Sequence, residues 1–145
     1  MHKAFYASGF LFHPPTQQIL LQQQLNTSPA LWSLVGGIHL VEESAEKAFQ
    51  RIVQQFLKHK LPIKNIYPIY TYDREDAEKN KAILYADIEE MIEFKPTKEY
   101  TFGWFTRKQI MKLPLDPQTK QDIVVGHRVI DAKTRKSLGE HTLDE

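Results

Sequence analysis

The chain of 145 residues contains no cysteine, which excludes disulfides and thiolate metal sites. The absence of thiols fits a reducing cytoplasm, the expected location. No apolar run approaches the ~20 residues of a membrane span, so no membrane partner is expected. Residues 1–6 lack the long apolar core of a signal peptide. Net charge is only +1, so no large field of one sign draws the chain to nucleic acid or an anionic surface. There is no internal repeat, and the glutamines at 22–24 are too short a run to count as low complexity. His2, His13, His39, His59, His127 and His141 show no paired metal-ligand spacing. Nothing resembles a Ser-His-Asp set, a P-loop or a basic stripe.

What is present is ordinary for a globular protein. The length predicts one domain, over residues 1–132, with a polar and frayed tail at 133–145. Apolar residues make up 41%, enough for a real core at this size. Residues 4–12 are aromatic and apolar and predict a buried strand. A turn with two prolines follows, then a returning strand around 19–21. Residues 32–34 predict a short strand ending at Gly36-Gly37, where a tight turn with unusual backbone angles is expected. Residues 43–59 carry an apolar stripe at steps of three and four: Ala45, Ala48, Phe49, Ile52, Val53, Phe56 and Leu57. That period predicts an amphipathic helix. Residues 66–72 and 82–88 predict strands, the first an edge or bulged strand because of Pro68. A charged turn at 73–81 separates them. A short strand is expected at 101–105 and a short helix from Thr106 to near Pro114. Asp116-Pro117 predicts an N-cap and first helical residue, opening a helix to about 131. The order argues α+β, with helices on a mixed sheet.

Within this pattern Gly37, Glu43 and Arg51 stand at spacings of six and eight, with Trp32, Leu34, Gly36, Ser44, Ala48 and Val53 in register. The set resembles the Nudix box: glycine, five residues, glutamate, seven residues, then R-E-U-x-E-E-x-G-U, with U a bulky apolar residue. The resemblance implies an α/β/α sandwich around a mixed sheet. It also implies metal-dependent hydrolysis of a nucleoside diphosphate linked to another group. In the family the box glutamate and arginine form an ion pair that braces the loop and helix; Glu43 and Arg51 match those positions. Many members place an acid, in some the general base, before a Trp-aromatic or Trp-Val pair. Glu99, ahead of Trp104-Phe105, is the matching candidate. The catalytic candidates carried by the resemblance are therefore Glu43, Arg51 and Glu99.

The box departs from the family where the chemistry lies. Its three further glutamates would fall at 52, 55 and 56, on one helix face. Here these positions are Ile52, Gln55 and Phe56, and the expected glycine at 58 is Lys58. Magnesium prefers hard oxygen ligands, and neither Ile nor Phe has one. Between 43 and 58 two acids face three bases, so the helix does not attract a cation. Ile52 and Phe56 fall in the apolar stripe, which predicts core packing; a partner-binding surface or a ligand-pocket wall are the other readings. No metal site and no cofactor are expected. The exception is Mg²⁺ or Mn²⁺ at a relocated site drawn from Glu42, Glu43, Glu46, Asp87, Glu89, Glu90 and Glu99. His39, in the loop after Gly37, is a further candidate for a phosphate contact. The expected function is a Nudix-fold module that binds a nucleotide, another diphosphate ligand or a protein, with weak or absent hydrolysis. A divergent hydrolase using relocated acids is the alternative. A homodimer through the aromatic strands is a third possibility.

Overall fold

The structure, a computed structural model, describes residues 5–38, 40, 42–72 and 80–143. Its elements are β1 (Phe5–His13), β2 (Gln18–Gln24), β3 (Trp32–Ser33), β4 (Val35–Ile38), α1 (Ala45–Leu57), a 3₁₀ turn (Ile63–Asn65), β5 (Ile66–Tyr72), β6 (Asn80–Asp87), β7 (Tyr100–Phe105), α2 (Arg107–Ile110) and α3 (Pro117–Leu143). The strands form one mixed sheet of seven strands, ordered β3-β2-β1-β6-β5, with β4 also on β1 and β7 on β2. β1 runs parallel to β6 and antiparallel to β2 and β4. The α+β sandwich expected from the element order is present.

Alternate side chains of a strand point to opposite faces, and the central strands use both. Ala7 and Leu11 of β1, Leu20 of β2, and Ala82, Leu84 and Ala86 of β6 enter a core beneath α1, joined by Phe49, Ile52, Val53 and Leu57. Phe10 and Phe12, Ile19 and Leu21, and Ile83 and Tyr85 enter a second core with Ile110 of α2 and Ile123 and Ile130 of α3. This is why β1, β2 and β6 read as continuous apolar runs. β5 is an edge strand with an irregular register between Pro68 and Tyr70, as the proline predicts.

Several expectations need correction. Gly36 and Gly37 lie inside β4 and make no turn; no described glycine has positive φ. Their need is space. A Cβ on Gly36 would fall 2.3 Å from the Ser8 hydroxyl, and one on Gly37 would sit 3.2 Å from Ile52 Cδ1. Residues 80 and 81 belong to β6 and not to a turn, and residues 73–79 lie outside the described set. Phe56 does not join the core: it is 40% exposed, at the margin of a stripe whose centre holds Ile52. The last helix does not stop near 131. It runs on to Leu143 because Ile130, Thr134 and Leu138, at steps of four, continue the face turned toward β1 and β6. The tail expected at 133–145 is helical as far as it is described.

α1 is held by its ends. The Ser44 hydroxyl accepts from the Lys47 amide at 3.1 Å, and the Lys58 amide donates to Gln54 O at 3.1 Å. Lys58 is left-handed, with φ 56° and ψ 33°. Lys58 thus holds a backbone conformation that suits glycine, the residue the resemblance leads one to expect there. A Cβ in this region costs roughly 1–2 kcal/mol, partly offset by the unfolded-state freedom of glycine. Lys58→Gly is expected to stabilise the protein by about 1 kcal/mol, or roughly 2–4 °C at this chain length. Urea and thermal denaturation check this, and Lys58→Ala should give no such gain.

Candidate functional site

The site suggested by the motif forms where β4 passes into α1. β4 lies against the first half of β1, with Gly37 opposite Ala7 and Gly36 opposite Ser8. The chain then turns through Leu40 and Glu42, the latter left-handed at φ 68°, before Ser44 opens α1. His39 lies outside the described residues. Glu43 and Arg51, one helical stretch apart, meet over this loop. Arg51 Nε donates to Glu43 Oε2 at 2.9 Å, and Nη2 donates to Glu43 Oε1 at 3.1 Å and to Ile38 O at 2.8 Å. The Leu40 amide donates to Glu43 Oε1 at 2.7 Å. One guanidinium thus ties the end of β4 to the start of α1, and one carboxylate ties the loop between them. The pair is largely shielded, with side chains 32% and 17% exposed, so it is screened less than a surface pair.

Beyond this brace the helix face carries no metal-ligand set. Ile52 is buried at 1% exposure and packs on Gly37. Gln55 is exposed and offers one neutral amide oxygen, and Phe56 offers none. These residues do not fit Mg²⁺. The relocated alternatives do not converge either. The antiparallel β1–β2–β7 register puts Glu99 at the end of the sheet that holds the box loop, but in the bend just before the outer strand β7. Glu99 is exposed; its amide donates to the Thr97 hydroxyl at 3.3 Å and its carbonyl accepts from Leu25 at 2.8 Å. Asp87, Glu89 and Glu90 lie at the opposite end, since Asp87 pairs with Phe12 while Ile38 pairs with Tyr6. Six residues of strand separate those levels, roughly 20 Å. Among the described residues no three His, Cys, Asp or Glu side chains gather as a metal site.

No protein-family model matches the sequence, and no curated protein matches it. Solved structures do. The Nudix domain of NrtR from Shewanella oneidensis, solved with ADP ribose, is similar at a TM-score of 0.69 and 18% identity, over 90% of each chain. A mutT/nudix family protein from Listeria innocua gives 0.67 and 18%, over 95% of this chain and 98% of that one. The C-terminal domain of mouse MUTYH, solved with human PCNA, gives 0.68 and 12%, over 90% and 91%. The chain has the Nudix fold. The Nudix-like register of Gly37, Glu43 and Arg51 therefore sits on the strand, loop and helix that such a fold supplies. Among the described residues no helix is long and apolar enough to cross a membrane.

The polar groups under α3 are hardly visible in the sequence. Asp122 is 1% exposed; its Oδ1 accepts from the Tyr70 hydroxyl and from Gln118 Nε2, the latter at 3.0 Å. Its Oδ2 has no partner among the described residues. Arg107 clasps Asp131 with two hydrogen bonds of 2.9 and 2.5 Å, tying α2 to α3 and holding the Asp131 carboxyl below its usual range. His127 packs on Phe10 with its Nε2 buried and without a hydrogen-bond partner among the described residues. Burial, with help from the Arg107 charge and against that of Asp131, pushes its pKa down to about 4. Their only signal is polar spacing within an otherwise apolar helix face.

Two predictions follow from these contacts. A double-mutant cycle of Glu43→Gln and Arg51→Met, read by urea denaturation, should give a coupling of about 1–2 kcal/mol. Additive effects would show that the brace carries no net energy. His127 is neutral in the folded state down to about pH 4, whereas unfolded it binds a proton near the ordinary value of about 6.5. Above that value it contributes fully; the contribution is lost as pH falls from about 6.5 toward 4, and should reach about 2–3 kcal/mol. Stability measured across that window should flatten in His127→Phe.

Proposed function

We propose that the chain is a Nudix-fold binding module for a nucleoside diphosphate derivative, without metal-dependent hydrolysis at the box face. The observation that carries this reading is the pairing of a complete brace with an apolar replacement of the metal face. Glu43 and Arg51 still shape the loop, while Ile52 fills the place of a ligand by packing on Gly37. Glu43 spends both carboxylate oxygens on Arg51 and the Leu40 amide, which supports a positioning role for this pair over a catalytic one. Glu99 lies in the bend before an outer strand, and it joins no cluster of three or more His, Cys, Asp or Glu side chains among the described residues. The ADP ribose bound to the similar NrtR domain supports a nucleotide derivative as the ligand class. The chemistry left to the site is recognition: loop amides, the cationic edge of α1 and strand-face aromatics receive the ligand, and no bond is broken.

One observation favours a second, protein-binding use. Phe56 is exposed beside Ile92 and Phe94, with His59 edge-on to Phe94 at 6.1 Å between centroids. An apolar surface of this kind accepts a partner side chain. The MUTYH domain solved with PCNA is a comparable fold in a protein complex.

The test is a panel of nucleoside diphosphate compounds, ADP ribose included, assayed for product release with Mg²⁺ and Mn²⁺ and for thermal stabilisation. A shift of several degrees at about 100 times Kd without turnover is expected. Turnover dependent on Mg²⁺ and abolished by Glu99→Gln would overturn the reading. If no compound stabilises the chain and Phe56→Glu abolishes capture of a defined partner, the protein-binding use stands alone.

A further inference from the structure

The end of the sheet remote from the box holds a cavity of about 270 Å³ between β1, β6 and α3, lined by Phe12, Tyr85, Asp87, Ile130, Lys133 and Leu138 among others. A second space of about 450 Å³ adjoins it across Phe12 and Ile130. It lies on the α3 side of the sheet, whereas the box lies on the α1 side, and Phe12 is five residues along β1 from the partner of Gly37. That distance is roughly 16 Å. The two regions are separate.

The chemistry of this cavity is unusual for a packing void. Phe12 meets Tyr85 edge-on at 6.3 Å in its wall, and Tyr67, just outside the lining, lies with its ring centroid 5.2 Å from that of Tyr85. The Lys133 ammonium sits over the Tyr67 ring, 3.1 Å from its centroid, and 5.9 Å from that of Tyr85. Asp87 borders the same space, half-buried, with no hydrogen bond or ion pair to its carboxylate among the described residues. Burial lifts its pKa, and the charge of Lys133 only partly opposes that. Lys133 therefore stays on the aromatic ring and forms no salt bridge with the nearby acid. Aromatic faces beside a carboxylate are the arrangement that receives an organic cation, whose dispersed charge favours π faces. Ile130 and Leu138 supply the apolar wall that alkyl groups require.

We propose that this cavity binds a small quaternary ammonium compound, and that Lys133 holds the place of its cationic head in the ligand-free protein. Lys133 is an exposed side chain on α3, and its flexible stem allows it to swing into water when the ligand enters. The incoming head takes the Tyr67 face and lies against Tyr85, and Asp87 neutralises it. The neighbouring space accommodates the remainder of the molecule. The proposal does not depend on the ligand assigned to the box face.

The probe is choline, with 3,3-dimethylbutan-1-ol as its uncharged isostere, titrated into the full chain and followed by calorimetry and by the NMR signals of the tyrosine rings. Lys133→Ala, which removes the resident cation and keeps a good helix former, should bind choline about tenfold more tightly than the parent chain. Adding Asp87→Asn or Tyr67→Leu to that variant should weaken binding at least tenfold, and the alcohol should not bind. Equal binding of choline and the alcohol would overturn the proposal, as would a Lys133→Ala variant no tighter than the parent. If Lys133→Ala fails to fold, Lys133→Gln serves the same comparison. Retained box-site ligand binding in these variants separates the two regions experimentally.

Discussion

The parallel pairing of β1 with β6 is the constraint on which the rest of the molecule depends. Eight consecutive residue pairs join the two strands. Parallel strands need covering on both faces, so each contributes alternate residues to two cores. That requirement places α1 on one face and α3 on the other. It also fixes the two ends of the sheet. β1 meets β4 and the box loop over its first half and the β2 hairpin over its second. A slip of one residue would send Phe10 and Phe12 into the α1 core and Ala7 and Leu11 into the α3 core, and neither volume would fit.

Within that frame the box separates into two kinds of position. Gly36, Gly37, Glu43 and Arg51 serve geometry, and their contacts are complete. The positions at 52, 55 and 56, where the resemblance implies acids, carry Ile, Gln and Phe. Ile52 shows how the two are linked. A glutamate at this position would have to reach past Gly37 toward solvent, whereas isoleucine turns onto the glycine and adds to the core beneath α1. An isoleucine there carries no desolvation cost and adds apolar contact that an acid would not. Lys58 is the opposite case, a side chain held at a left-handed angle that glycine would meet without strain.

The fold was legible because its signals are local and repeated. Strand alternation, the three-and-four stripe of α1 and the Asp116 cap each predict their element from neighbouring residues alone; Asp116 does accept from the Thr119 amide at 2.9 Å. The brace was legible only through the resemblance, since nothing local joins Glu43 to Arg51. Two readings went astray for physical reasons. The glycine pair reads as a turn because glycine tolerates unusual angles, but here it yields room to Ser8 and Ile52. The helix beyond 131 is hard to read because its inward face mixes Ile130 with Lys133 and Thr134, which looks polar without the aromatic rings that Lys133 covers. The register linking Asp87 to Phe12, and hence the distal cavity, is a long-range fact that no window of sequence contains.

Both regions with candidate ligand chemistry lie at the ends of β1, on opposite faces, and each is closed by a cation from a helix. At the box, Arg51 is fully engaged: its three polar contacts hold a loop, and moving it would release β4 from α1. At the distal end, Lys133 rests on a ring face and makes no hydrogen bond or salt bridge among the described residues, an interaction of about 0.5–1 kcal/mol at an exposed site. The contrast in tenure separates their roles. A cation bound by geometry-specific hydrogen bonds is architecture, and a point charge resting on an aromatic ring is displaceable. The same fold thus pairs a rigid end, where hydrogen bonding fixes shape, with an end where one side-chain rotation opens an aromatic and acidic surface.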